Sequence, residues 1–124
     1  MNHVAVKGTD YAFDVPETLP AGPTAFTFEN AGQVPHEMIL VRLKEGVTLP
    51  QVLEAVRAGA DPGEFTEGGT AILIASPADT AETRILVDLL PGSTYALVCN
   101  FVDGEGKPPH VALGMVKSIE VDTP

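Results

Sequence analysis

Tryptophan is absent, aromatic residues make up 6% of the chain, and there is a single cysteine in 124 residues. A lone Cys99 cannot close an internal disulfide, which leaves it as a core thiol, a nucleophile, a metal ligand or one half of an intermolecular bridge. Basic residues are scarce: 7 Lys and Arg face 17 Asp and Glu, a formal net charge of −10 at pH 7. Such a charge repels phosphate backbones and anionic lipid, which makes nucleic acid and membrane surfaces poor candidate partners and favours small, neutral or cationic ones. Long apolar runs are also missing. The longest, Met38 to Val41 and Ala71 to Ala75, fall far below the ~20 residues of a spanning helix. The start, Met-Asn-His-Val-Ala-Val, lacks the charged segment and apolar run of a signal peptide, so an export signal is expected to have been trimmed or never present.

What is present is apolar enough to fold. Hydrophobic residues make up 44%, too many for a disordered chain of this charge. The length suits one domain, residues 1–124, and excludes a two-domain enzyme. The 12 Gly and 11 Pro fall mainly between short apolar runs, without an internal repeat or linker, which predicts an all-β sandwich. Val4 and Val6 open a first strand that Tyr11, Phe13 and Val15 continue, with Pro16, Pro20, Gly22 and Pro23 in the following turn. Phe26 and Phe28 alternate with polar neighbours in the next segment. In His36-Glu-Met-Ile-Leu-Val-Arg-Leu43, Met38 and Leu40 share the parity of His36 while Ile39, Val41 and Leu43 take the other, so both faces need cover.

The cover for the outer face is the one helical pattern. Leu49, Val52, Leu53 and Val56 recur at i, i+3, i+4 and i+7, Thr48 and Gln51 have capping-box spacing, Pro50 suits the first turn, and Gly59 suits the residue past the end. A short helix is expected near residues 49–58. Residues 60–69 read as loop, and residues 70–75, 83–89, 94–101 and 115–121 as strands, giving seven to eight strands in all.

The chemistry rests on His36, Cys99, His110 and Met115. Each alone has an ordinary structural role: a buried small thiol, a turn histidine, a core methionine. Their combination carries the argument. Cys99 ends its strand on the face of Leu97 and Tyr95, and His110 and Met115 follow within the same terminal hairpin. His36 alone comes from a distant segment. One thiolate, two imidazoles and a thioether select copper or zinc, and a Cys-His-His set with a weak axial Met describes a type 1 copper site, whereas zinc has no use for the thioether. A nucleophile pairing Cys99 with His110 would leave His36 and Met115 idle and supplies no orienting third group. His3 has no role here, and Asp103-Gly-Glu-Gly106 is more simply a turn than a cation loop.

At these residues the sequence resembles the cupredoxins, the blue copper proteins. Asn30-Ala-Gly-Gln-Val-Pro-His36 is similar to the plastocyanin segment carrying the first histidine, Pro91-Gly-Ser-Thr-Tyr-Ala-Leu-Val-Cys99 to its cysteine strand, and Pro109-His-Val-Ala-Leu-Gly-Met115-Val to the ending shared by cupredoxins and copper nitrite reductases. The resemblance covers residues 24–43 and 90–121 and hardly touches residues 44–82. It implies a Greek-key β-sandwich with His36, Cys99, His110 and Met115 around one copper per chain, cycling between Cu(I) and Cu(II), usually outside the cytoplasm. It implies an electron carrier rather than an enzyme, docking a redox partner protein near His110, whose ring edge would face solvent beside Pro108, Pro109, Val111, Ala112 and Leu113. A copper storage or delivery module and a metal-free interaction domain are the alternatives. Two departures stand out. Residues 100–109 make a longer ligand loop than small soluble cupredoxins have, and Glu37 stands where an Asn is common. That carboxylate is expected either to accept backbone N–H groups of the Cys99 loop or to be solvated. The oligomeric state is not legible in the sequence.

Overall fold

Alternation of buried and exposed side chains is clearest in the first strand, where Val4, Val6 and Gly8 are buried between exposed His3, Ala5 and Lys7. The computed structural model describes residues 1–123. Among them, nine strands run in the order β1 (Asn2–Thr9), β2 (Ala12–Asp14), β3 (Thr18–Leu19), β4 (Gly22–Asn30), β5 (His36–Leu43), helix α1 (Leu49–Arg57), β6 (Thr66–Ala75), β7 (Ile85–Leu89), β8 (Thr94–Val98) and β9 (Val116–Val121). They make one sheet ordered β2-β1-β4-β7 and a second ordered β3-β9-β8-β5-β6. Each sheet turns one face inward, and Phe26, Phe28, Leu89, Leu97 and Ile119 fill the shared core. The all-β sandwich is as expected, with one or two strands more than anticipated. No described helix is long and apolar enough to cross a membrane.

Three expectations need correction. Tyr11, Phe13 and Val15 do not prolong the first strand. The chain turns at Asp10 and Tyr11 and returns as β2, with Gly8 opposite Phe13 and Lys7 opposite Asp14. The change of parity from even (Val4, Val6) to odd (Phe13, Val15) is the signature of that break. Residues 16–23 are not a single turn: Thr18 and Leu19 pair in parallel with the end of β9, and Gly22 and Pro23 already belong to β4. Residues 66–69 are strand rather than loop. Thr66 and Glu67 pair with Leu43 and Arg42 of β5, and Gly68, with a φ of 75°, and Gly69 lie in the register shift that follows, before Ala71 pairs with Leu40. Glycines next to such an irregularity read as loop because they supply the turn-like torsion the irregularity needs.

The helix forms where its signals lie. Gln51 N–H donates to Thr48 Oγ1 and Thr48 N–H donates to Gln51 Oε1 at 2.9 Å, the reciprocal pair of a capping box. Gly59 follows the end with φ 99°. Val52 packs with Leu43 and Ala96 on the outer face of the second sheet, so the helix covers the apolar side that β5 turns away from the core.

The sheet order decides where the chemistry falls. Strand β8 lies between β5 and β9, antiparallel to both, with Val98 opposite Ile39 and Val116. The start of β5, the end of β8 and the start of β9 therefore meet at one end of the sandwich. The loop leading into β5 is fixed by Asn30, which is fully buried. Its Nδ2 donates to the Val34 carbonyl at 2.9 Å and the Ala75 carbonyl at 3.0 Å, and its Oδ1 accepts Gly32 N–H at 2.9 Å. Removing that amide strands buried backbone groups, each worth ~1–3 kcal/mol. Asn30→Ala is expected to lower stability by about 2–3 kcal/mol, read as a lower urea midpoint with unchanged slope.

Candidate metal centre

His36 opens β5 on the inward face it shares with Met38 and Leu40. Cys99 follows β8 directly and is fully buried, and His110 and Met115, also fully buried, frame a short 3-10 turn, His110–Leu113, before β9. Backbone hydrogen bonds close this segment on itself. Cys99 N–H donates to the Met115 carbonyl at 3.1 Å, Met115 N–H to the His110 carbonyl at 3.1 Å, and His110 N–H to the Phe101 carbonyl at 2.9 Å. Gly114 ends the turn with φ 103°, a conformation that glycine adopts without strain. The three segments bring the donors together: His36 Nδ1 and His110 Nδ1 lie 3.0 Å apart, and Cys99 Sγ lies 3.5 Å from His110 Nδ1 and 4.0 Å from His36 Nδ1.

Those separations fit one ion. Metal–nitrogen bonds of ~2.0–2.1 Å and metal–sulfur bonds of ~2.3 Å let a single centre touch all three atoms, because each observed gap is shorter than the sum of its two bonds. The hydrogen-bond partners argue the same way. His36 Nε2 lies 2.6 Å from Asp10 Oδ1 and His110 Nε2 lies 2.8 Å from Asp103 Oδ1. An ionised carboxylate only accepts, so each imidazole carries its N–H on the outer nitrogen and turns the Nδ1 lone pair inward. Two lone pairs and a sulfur then face one another in a dry site, an arrangement that a bound cation relieves.

The surroundings complete the picture. Glu37 N–H donates to Cys99 Sγ at 3.4 Å, and the Glu37 carboxylate accepts Asn100 N–H at 3.0 Å. Of the two alternatives for Glu37, the structure shows the tie to the ligand loop. Gln33 N–H donates to the second oxygen of Asp10 at 3.0 Å. A side chain at Gly32 would run into the Asp10 carboxylate and lie 2.9 Å from His36 Nε2, so this close approach demands glycine. Tyr11 and Phe101 pack their rings 4.8 and 5.6 Å from that of His110. Burial pushes the Cys99 thiol up, opposed by N–H groups of Glu37 and Phe101 and reinforced by the Glu37 and Asp103 charges. Partial burial, then the charges of Asp103 and Asp10, also raise the Tyr11 phenol.

His110 is not at the surface. Its expected solvent-facing edge is covered by Asp103, Tyr11 and Phe101, and its exposure is 0%. The glycines of the long loop suggest mobility, yet Val102 pairs with Pro109 and Lys107 N–H donates to the Gly104 carbonyl, which folds the loop back over the ring. Of the residues beside it, Pro108, Ala112 and Leu113 are exposed, and Pro109 and Val111 are half-buried. His3 sits on the exposed face of β1, opposite Ala25. Sequence pattern marks Tyr11 only as a strand residue and Asp103 only as part of a turn, and does not mark Asp10. No spacing marks them, because Asp10 lies in the other sheet's hairpin.

Asp10 gives a pH dependence with a definite sign. Burial alone would raise its carboxyl, but the Gln33 N–H and the His36 ring outweigh it and hold the value below the ordinary 3.8. A folded-state value that is depressed contributes stability fully present above 3.8 and lost as pH falls through the lower folded value. Asp10→Asn is expected to flatten that part of the acid limb, measured as urea midpoints of metal-free protein from neutral pH downward.

No protein-family model matches the chain, and no curated protein matches it. Solved structures do. The chain is similar to dithionite-reduced auracyanin from the photosynthetic bacterium Roseiflexus castenholzii, at 20% identity and a TM-score of 0.61 over 98% of this chain and 97% of that one. It is similar to auracyanin B at 21% identity and 0.60, over 99% and 89% of the two chains. Auracyanin A, a "blue" copper protein from the green thermophilic photosynthetic bacterium Chloroflexus aurantiacus, matches at 22% identity and 0.55, over 97% and 98%. Agreement along nearly the whole of each chain at about one-fifth identity is agreement of architecture, and with two packed sheets and one covering helix the chain has the cupredoxin fold.

Proposed function

We propose that this chain is an electron carrier that holds one copper ion through His36, Cys99, His110 and Met115. The observation that carries the reading is the convergence of two imidazole Nδ1 atoms and a thiol sulfur, all fully buried, within 3.0–4.0 Å of one another. Copper, when bound, supplies a one-electron Cu(II)/Cu(I) couple. Cys99 provides the soft anionic sulfur, stabilised by Glu37 N–H, and gives up its proton on binding. His36 and His110 present neutral Nδ1 donors from opposite sides of the chain's length. Met115, whose backbone is hydrogen-bonded to both Cys99 and His110, serves as a weak fourth donor, a role zinc would not need. The strand ends that hold these groups belong to one sheet and keep them in place as charge changes. Auracyanin A's description as a "blue" copper protein supports the same reading.

The partner is a redox protein that approaches over the exposed Ala112 and Leu113, in the short turn that His110 opens, with a basic surface to match the −10 charge of this chain. The working place is outside the cytoplasm, as the resemblance implies. The role is that of a carrier, not an enzyme. Titrating metal-free protein with Cu(II) tests it: an intense visible band with reversible one-electron reduction is expected. Binding without stable cycling would assign storage or delivery instead, and no binding would leave a metal-free interaction domain.

Two substitutions sharpen the test. Cys99→Ser is nearly isosteric and removes the soft sulfur, so the intense band is expected to vanish while the circular dichroism of the sandwich persists. Met115→Leu conserves volume, which usually costs less than ~1.5 kcal/mol. Copper is expected to bind it with its colour retained and a raised reduction potential in voltammetry, because Cu(II) loses a donor.

A further inference from the structure

Both imidazoles at this centre have the same construction. Each is fully buried, turns Nδ1 toward Cys99, and sets Nε2 against an aspartate oxygen, Asp10 at 2.6 Å for His36 and Asp103 at 2.8 Å for His110. The two carboxylates come from unrelated parts of the chain, the β1–β2 turn and the ligand loop. Their side chains are only 26% and 17% exposed, so water screens them weakly. Asp10 is itself held, by Gln33 N–H on one oxygen and by the space left at Gly32.

We propose that Asp10 and Asp103 are positioning residues of the metal centre: each fixes one imidazole with its Nδ1 lone pair free, and together they favour the oxidised, divalent ion over the reduced one. The proposal rests on the copper reading above. Its physics is twofold. A carboxylate behind a ligand histidine fixes ring tautomer and orientation and raises the basicity of the donor nitrogen. Two negative charges placed one imidazole away also attract a divalent cation about twice as strongly as a monovalent one, since the energy scales with the product of charges. Neutralising either carboxylate therefore weakens Cu(II) binding more than Cu(I) binding.

The experiment compares wild type, Asp10→Asn, Asp103→Asn and a charge control on an exposed loop, Glu64→Gln. Asparagine keeps an acceptor oxygen of the same shape and removes the charge. Affinities for Cu(I) and Cu(II) are measured by chelator competition, and the potential by voltammetry. Removing a partner behind a ligand typically costs ~10–100-fold in metal affinity. The expected result is a loss in Cu(II) affinity about tenfold larger than the loss in Cu(I) affinity for each Asn variant, which for a one-electron couple is a rise of about 59 mV, with no such change in Glu64→Gln. An unchanged affinity ratio in both Asn variants, or the same change in Glu64→Gln, would overturn the proposal while leaving the copper reading intact. A wild type that fails to bind copper would sink the copper reading instead. Nitrogen-15 spectra of the histidines in metal-free wild type need no variant to fold and read the tautomer with no metal on Nδ1. N–H at Nε2 on both rings supports the proposal, and N–H at Nδ1 on either ring refutes it.

Discussion

Two imidazoles can be buried at the end of an apolar sandwich only if all four ring nitrogens are accounted for. A neutral ring has one donor and one acceptor, and leaving either without a partner in a dry interior costs several kcal/mol. Here the donors go outward, to Asp10 and Asp103, and the acceptors go inward, toward each other and toward Cys99. The rest of the region follows from that division. The Asn30 amide holds the loop that aims His36, the missing side chain at Gly32 leaves room for the Asp10 carboxylate, and backbone hydrogen bonds from Cys99 to Met115 keep the second imidazole in register.

The sandwich suits this task because strand adjacency does the long-range work. His36 and Cys99 are far apart in the chain, yet β5 and β8 pair directly, and β9 pairs with β8 on the other side. Antiparallel pairing places the start of one strand beside the end of the next, so side chains from three segments meet without any of them leaving regular structure by more than a residue. Only His110 depends on a loop, and that loop is fastened to its own base.

Much of this was legible before any coordinates. The helix was, because its cap, its proline and its terminal glycine all act locally. Cys99, His110 and Met115 were, because they share one short stretch, and His36 was, because it completes a donor set with them and opens a strand on the inward face of Met38 and Leu40. What escaped detection depends on tertiary contact. The hairpin at Asp10 and Tyr11 was read as one strand because both halves alternate, and the shift of parity between Val6 and Phe13 went unused. The glycines at 68 and 69 looked like loop because a bulge in a strand needs the same torsions as a turn. The burial of His110 could not be read from a ten-residue spacer with two glycines, since the Val102–Pro109 pairing that folds it back leaves no local mark. The carboxylates behind the imidazoles carry no spacing signal at all.

Asp10 belongs to the hairpin of the four-stranded sheet, and His36 to the five-stranded one. Asn30, at the end of β4, likewise reaches across to the carbonyl of Ala75 at the end of β6. With no disulfide available, the two layers are joined elsewhere mainly by apolar contact, which has no direction and tolerates sliding. These directional bonds act as a latch at the edge of a book: they hold the two covers in alignment where the donors sit.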